Sequence, residues 1–155
     1  TGTRDAEETG ISIIHQELNL VPELTITENI FLGRELTNAF GLLDVKLMHE
    51  RTVDLLSRLH LSVDPRTKIA GLRVGQQQLV EIAKALHTNA SVIIMDEPTS
   101  AISDKEVDRL FTIIEQLKME GKTIAYISHK FKEIFAVADR YVVLRDGCTA
   151  DEGEM

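Results

Sequence analysis

Two adjacent carboxylates close the run Ser91-Val-Ile-Ile-Met-Asp-Glu-Pro98. The apolar residues before them read as a strand covered on both faces. In open α/β sheets, ligands sit at the carboxyl ends of strands. Asp96 could there hold a magnesium ion, directly or through water, because hard cations prefer oxygen ligands. Glu97 could orient or deprotonate a water for attack on a phosphoryl group. A bare Asp-Glu pair before a proline is more often a plain strand end, so the surroundings must decide.

Two other strands end in polar side chains. Ile11-Ser-Ile-Ile14 reads as a short buried strand that runs out at His15-Gln16. The Gln16 amide oxygen could ligate magnesium, or the residue could simply begin a loop. Thr123-Ile-Ala-Tyr-Ile-Ser128 ends at His129, which could bond a γ-phosphate and sense its loss. A lone strand-end histidine is usually structural or merely exposed. Three polar strand ends on one edge of one sheet imply a single site. Separately, Leu72-Arg-Val-Gly-Gln-Gln-Gln78 leads into a helix. A glycine at a helix N-terminus lets a phosphate approach backbone N–H groups, although an ordinary helix start reads the same way. His15, His49, His60 and His87 read as surface or packing residues.

The elements that must position these groups follow from periodicity and punctuation. A short helix spans about Thr27–Leu32, with Thr25 or Thr27 as N-cap. Gly33 to Leu43 is turn-rich, and Met48, Leu55, Leu56 and Leu59 mark one face of a helix from about Asp44. Pro65 and Gly71 punctuate a loop. Leu79, Ile82, Ala83 and Leu86 give a helix over 76–86. Ser103-Asp-Lys-Glu106 is a capping box opening a helix that stops at Gly121. A strand over 122–128, a helix over 130–138 and a strand over 141–144 complete the alternation, which predicts a parallel sheet with packed helices. The region 44–88 contains no strand and reads as a helical insertion. The tail from Asp146 to Met155, with its acidic Asp151–Glu154 patch, reads as a solvated end.

Composition narrows the function classes. At 155 residues the chain is one domain or a large piece of one. Hydrophobic residues at 43% support a packed core, and no apolar run is long enough to cross a bilayer. A formal charge of −8 argues against a nucleic-acid grip, which needs clustered Lys and Arg. Cys148 stands alone, so an internal disulfide or zinc cluster is excluded and a reducing cytosol is expected. The polar start Thr1–Glu8 is no signal peptide, and the lack of an initiator methionine suggests a fragment.

Taken in order, Gln16, Leu72-Arg-Val-Gly-Gln76, Ile93-Ile-Met-Asp-Glu-Pro-Thr-Ser100 and His129 resemble an ABC ATPase from its Q-loop past its switch histidine. The resemblance covers nearly the whole chain. His15-Gln-Glu-Leu-Asn-Leu-Val-Pro-Glu-Leu-Thr25, Glu28-Asn-Ile-Phe-Leu-Gly-Arg-Glu35 and Val74-Gly-Gln-Gln-Gln-Leu-Val-Glu-Ile-Ala-Lys84 look like the monosaccharide-import ATPases that serve ribose, galactose or methylgalactoside, arabinose and xylose. The Q-loop text looks like the first of two fused cassettes. The resemblance implies a partial P-loop NTPase fold with an inserted helical signature subdomain. About 1–43 would be the Q-loop region, about 44–88 the helical subdomain, and about 89–155 the core from Walker B to the switch histidine.

It also implies roles. Gln16 would contact magnesium and couple that site to the membrane partner. Leu72, Arg73, Val74, Gly75 and Gln76 would be the signature. Asp96 would be the Walker B aspartate and Glu97 the catalytic base or water-positioning group. Ser100 and Ala101 would open the D-loop, and His129 would be the switch histidine. ATP and Mg²⁺ would be the ligands. The partners would be a second cassette, fused or separate, in a head-to-tail pair, a membrane permease and, indirectly, a periplasmic sugar-binding protein. The expected location is the cytoplasmic face of the membrane, as a peripheral subunit.

Three departures qualify this. No G-x-x-x-x-G-K-[ST] occurs in the chain. In the family that loop and its strand lie upstream, so these residues alone are expected to bind ATP poorly and to leave a sheet edge exposed. Arg73 stands where the family normally has serine. Losing one hydrogen bond to a charged phosphate costs roughly 1.5–3 kcal/mol, about 10- to 150-fold in rate or affinity. Ile102-Ser103 is a milder D-loop change. The rival reading is a degenerate, non-catalytic cassette that only dimerises or docks. A soluble family member acting in translation or DNA repair is a further rival, disfavoured by the acidic charge.

Overall fold

The computed structural model describes residues 9–100 and 102–155; the acidic start Thr1–Glu8 and Ala101 fall outside them. Strands β1 (Ile11–Ile14), β2 (Val92–Asp96) and β3 (Thr123–Ile127) lie side by side in that order, all parallel. Their register aligns Ser12 with Ile93 and Ile124, and Ile14 with Met95 and Tyr126. Side chains alternate along a strand, so these six share one face. Ile14, Ile93 and Met95 are essentially inaccessible there.

The opposite face is different. Ile13 is 43% and Ile127 50% exposed, and Val92 and Ile94 are only half-buried. The expectation of a strand covered on both faces is therefore corrected. Among the described residues β2 is fully covered on one face only.

Between β1 and β2 the chain forms helices α1 (Ile26–Phe31), α2 (Val45–Arg58), a 3₁₀ turn (Ile69–Gly71) and α3 (Val74–His87). Thr25 caps α1 in a reciprocal box, with its hydroxyl accepting from Glu28 N–H at 3.2 Å and the Glu28 carboxylate accepting from Thr25 N–H at 2.8 Å. Helix α4 (Asp104–Met119) then crosses from β2 to β3, as a parallel pair requires. Ile26, Ile30 and Phe31 of α1, Val80, Ile82 and Ala83 of α3, and Leu110, Ile113 and Ile114 of α4 join the covered sheet face in one core. The Arg58–Glu120 ion pair ties α2 to the end of α4, but both partners are about half-exposed, so it adds little stability.

Helix α5 (Phe131–Val137) follows β3. Beyond it, the expected third strand of the alternation does not join the parallel sheet. Strand β4 (Arg140–Arg145) instead pairs antiparallel with β5 (Cys148–Glu154) in a separate hairpin. The supposed solvated tail is its second strand. Asp146 and Gly147 have φ of 51° and 77°, the left-handed pair that a two-residue hairpin turn demands, and Asp-Gly is a favoured sequence for it. Helix α3 also starts at Val74 rather than Gln76. The Gln76 side chain accepts from Arg73 N–H at 3.0 Å and fixes the earlier start.

One buried charge stands out on α3. Glu81 is 8% exposed and its Oε1 has no hydrogen-bond partner. Burial pushes its pKa up against the opposing pulls of Lys84, the Asn19 amide and His15. A carboxyl raised in the fold stabilises it below the usual carboxylate range and loses that contribution as pH rises through the folded value. Glu81→Gln is therefore expected to raise the thermal midpoint at pH 8, with the gain shrinking toward pH 4. An equal or lower midpoint at pH 8 would contradict this account of Glu81.

Candidate functional site

The parallel register carries three strand ends to one edge, and their side chains meet. Gln16 follows β1, Asp96 and Glu97 close β2, and His129 follows β3. The Glu97 carboxylate lies at the centre. Its Oε2 accepts from Gln16 Nε2 at 3.3 Å, and its Oε1 lies 2.8 Å from His129 Nδ1. Glu97 N–H donates to Ile127 O at 2.9 Å, extending the sheet by one bond. The residue has φ of 45°, the left-handed region that an L side chain avoids. Such a conformation costs on the order of 1–3 kcal/mol and persists only where surrounding contacts fix it.

The site is shallow and open to water. The Glu97 side chain is 28% exposed and the His129 ring 71%. Among the described residues no group of three or more His, Cys, Asp or Glu side chains is placed to hold a metal alone. The oxygens on offer are the half-buried Asp96 carboxylate and the Gln16 amide oxygen, which points no bond at Glu97 because the amide nitrogen makes that contact. A sparse set of hard oxygens fits a magnesium ion that keeps waters and takes its remaining ligands from phosphates.

Behind the site lies a polar cluster that local sequence patterns do not reveal. Glu133, on α5, is 8% exposed. Its Oε2 accepts from Thr99 Oγ1 at 2.6 Å, from the Tyr126 hydroxyl at 2.8 Å and from Ser128 Oγ at 3.3 Å. Lys130 Nζ lies 3.1 Å from Oε1. Burial alone would raise the Glu133 pKa, but hydrogen bonds from Thr99, Tyr126 and Lys130 and the charge of Lys130 outweigh it and hold the carboxyl below its usual range. Burial, then the bond to Glu133, pushes the Tyr126 hydroxyl well above its ordinary value.

The stretch Leu72–Gln76 makes its contacts elsewhere. Leu72 is buried, while Arg73 and Val74 are exposed at the N-terminus of α3. Gln77 Nε2 donates to Leu72 O at 3.0 Å and braces the turn. Gly75 is buried against Glu106, whose carboxylate a Cβ on residue 75 would overlap. Glu106 is held by Ser103, accepting from its N–H at 2.9 Å and its hydroxyl at 2.8 Å. Those bonds, with smaller contributions from Arg73 and Arg109, keep its pKa low despite some burial. The capping box at Ser103 was legible from sequence; its contact with Gly75 was not. Ser100 is exposed, with its N–H donating to Glu97 O at 3.2 Å, and Ala101 lies outside the described residues. Among the other histidines, His87 packs its ring 4.2 Å from that of Phe31.

Comparison with known proteins points in one direction. Residues 2–100 match the family model described as ABC transporter. The chain is 49% identical over 152 residues to the ribose import ATP-binding protein RbsA of Caldanaerobacter subterraneus subsp. tengcongensis, covering 98% of this chain and 31% of that protein. It is 53% identical over 142 residues to a putative ribose/galactose/methyl galactoside import ATP-binding protein of Pseudomonas fluorescens, covering 92% of this chain and 28% of that protein. The chain thus spans less than a third of these relatives. Among solved structures, an ATP-binding cassette of an ABC transporter in its ADP conformation superposes with a TM-score of 0.83 at 26% identity, over 100% of this chain and 65% of that one. A nucleotide-free cassette gives 0.81 at 26% identity, over 99% and 64%.

The contact between Gly75 and Glu106 has a measurable consequence. Gly75→Ala must push Glu106 off Ser103 and so weaken the cap of α4, at a cost of about 1 kcal/mol. In a Glu106→Ala background the same substitution should cost nothing, as read by urea unfolding. An equal cost in both backgrounds would mean that the carboxylate is not what requires glycine there.

Proposed function

The chain belongs to the ABC transporter family of ATP-binding cassettes, and from that premise we propose that it forms the Q-loop, signature and Walker B to switch-histidine portion of an ATPase that powers sugar import. The observation that carries this reading is the Glu97 carboxylate held between Gln16 and His129 at the carboxyl ends of three parallel strands. That is where an open α/β sheet presents chemistry to a ligand.

In this reading Glu97 aligns a water and accepts its proton as the water attacks a phosphoryl group. His129, beside Oε1, steadies the carboxylate and reaches toward the phosphate. Asp96 and the Gln16 amide oxygen would hold magnesium, which when bound neutralises phosphate charge. Leu72 to Gln76, with the exposed N-terminus of α3, would close over nucleotide held by a second cassette, with Ser100 and Ala101 at the same junction. A permease and, through it, a sugar-binding protein complete the assembly. Ribose or a related monosaccharide is the cargo favoured by the relatives' names.

No phosphate-binding G-x-x-x-x-G-K-[ST] lies within these 155 residues. Among the described residues β3 is an edge of the sheet, and a groove lined by Tyr126, Phe131, Phe135, Val142 and Met155 runs beside it. Together with the open face bearing Ile13 and Ile127, this is an apolar seat suited to a further strand and helix. The competing reading, a docking module with a degenerate signature, draws on Arg73. Its exposed guanidinium stands where a small hydroxyl would approach phosphate closely.

Both readings meet in one experiment. The phosphate-loop segment of the ribose-import relative is fused ahead of Thr1 and phosphate release is measured. The chimaera should hydrolyse ATP, and Glu97→Gln should lower its turnover by about a hundredfold or more. Arg73→Ser should raise turnover by about tenfold, the scale of one hydrogen bond to a charged group. A chimaera that binds ATP without hydrolysing it, whatever residue occupies position 73, favours the docking module.

A further inference from the structure

The buried cluster around Glu133 joins the turn after β2, the end of β3 and helix α5. Thr99 lies two residues beyond Glu97, on the turn that leaves β2. Ser128 and Lys130 flank His129. Tyr126 belongs to β3, and Glu133 itself to α5. One carboxylate accepts from all four: Thr99, Tyr126 and Ser128 on Oε2, and Lys130 on Oε1. The cross-links close on themselves. Lys130 Nζ also donates to Thr99 O at 3.1 Å and contacts Thr99 Oγ1 at 3.3 Å, and Lys130 N–H donates to Ser128 Oγ at 3.1 Å.

A role confined to capping α5 would not need this arrangement. The donors come from β3 and from the two loops that carry the groups in contact at the site. Thr99 is 2% exposed and cannot turn to water if its acceptor is lost. Meanwhile Glu97 sits in a backbone conformation that relaxes unless its neighbours hold it. Its backbone N–H ties it to the sheet beyond β2 at Ile127, the residue before Ser128. A fixed Thr99 and a fixed Ser128–Lys130 therefore set the distance between the Glu97 and His129 side chains.

We propose that Glu133 is a positioning residue, whose buried carboxylate ties the turn after Glu97 to both sides of His129 and thereby holds the Glu97 carboxylate against His129 Nδ1. It touches neither substrate nor metal. Its geometric effect is independent of the proposed ATPase activity; only the consequence for turnover rests on that reading.

The test has two arms. In crystal structures of the 155-residue chain, Glu133→Gln removes the charge that holds Lys130. The Glu97–His129 contact of 2.8 Å should open beyond hydrogen-bonding range while the β1–β2–β3 register stays intact. Thr99→Val, which deletes one donor and leaves Glu133 in place, should open it too, and Thr99→Ser should restore it. In the chimaera, Glu133→Gln should lower kcat by about ten- to a hundredfold, the scale of a small misplacement of reacting groups, with KM for ATP within about twofold. Added to Glu97→Gln, it should cost nothing further. A contact that stays closed in both Glu133→Gln and Thr99→Val overturns the proposal. So does a kcat loss of the same size in the Glu97→Gln background, which would mark Glu133 as structural only. A chimaera without any ATPase activity refutes the functional reading and leaves the crystallographic arm to decide the positioning role.

Discussion

Everything at the site depends on the register of β1, β2 and β3. A slip of one residue would send each strand's buried set to the other face. It would also part Gln16, Glu97 and His129, whose side chains meet only because Ile14, Met95 and Tyr126 are aligned. The register is enforced by unequal faces. Ile93 and Met95 are buried without remainder in the core that α3 and α4 share, while Ile94 between them is only half-buried. Core packing thus does positional work for three residues that contribute little to it.

Legibility in the sequence tracked the range of the interactions. Elements set by neighbours were readable. Ser103 with Glu106 announced one helix start, Thr25 or Thr27 offered a cap for another, and the i, i+3, i+4 spacing of Leu79, Ile82 and Ala83 announced a third helix. The gathering of Gln16, Asp96–Glu97 and His129 was readable too, because a parallel sheet has one carboxyl edge. The hairpin at Asp146–Gly147 carried a local signal, but the acidic strand after it looked like tail because its side chains face water. The coverage of β2 was overstated since an apolar run reports the chemistry of both faces and not what packs on them.

The Glu133 cluster and the Gly75–Glu106 contact were not readable at all. Each joins residues whose separation in the chain carries no periodic mark, and each is polar, so hydrophobic patterning is silent about it. Around Glu133 a buried carboxylate collects donors, and whatever supplies them is held in place; at Glu106 a carboxylate fixed by its own helix cap lies against the backbone of Gly75. In one case the result is a joined pair of loops; in the other it is a glycine whose replacement would displace the carboxylate.

The left-handed backbone at Glu97 has a consequence for how this site can change over time. Glycine or asparagine adopts that conformation with less strain than glutamate does. Substitutions that relax the backbone there make the fold more robust and remove the carboxylate in the same step. If Glu97 serves the hydrolysis proposed above, drift toward stability at this one position runs against that chemistry.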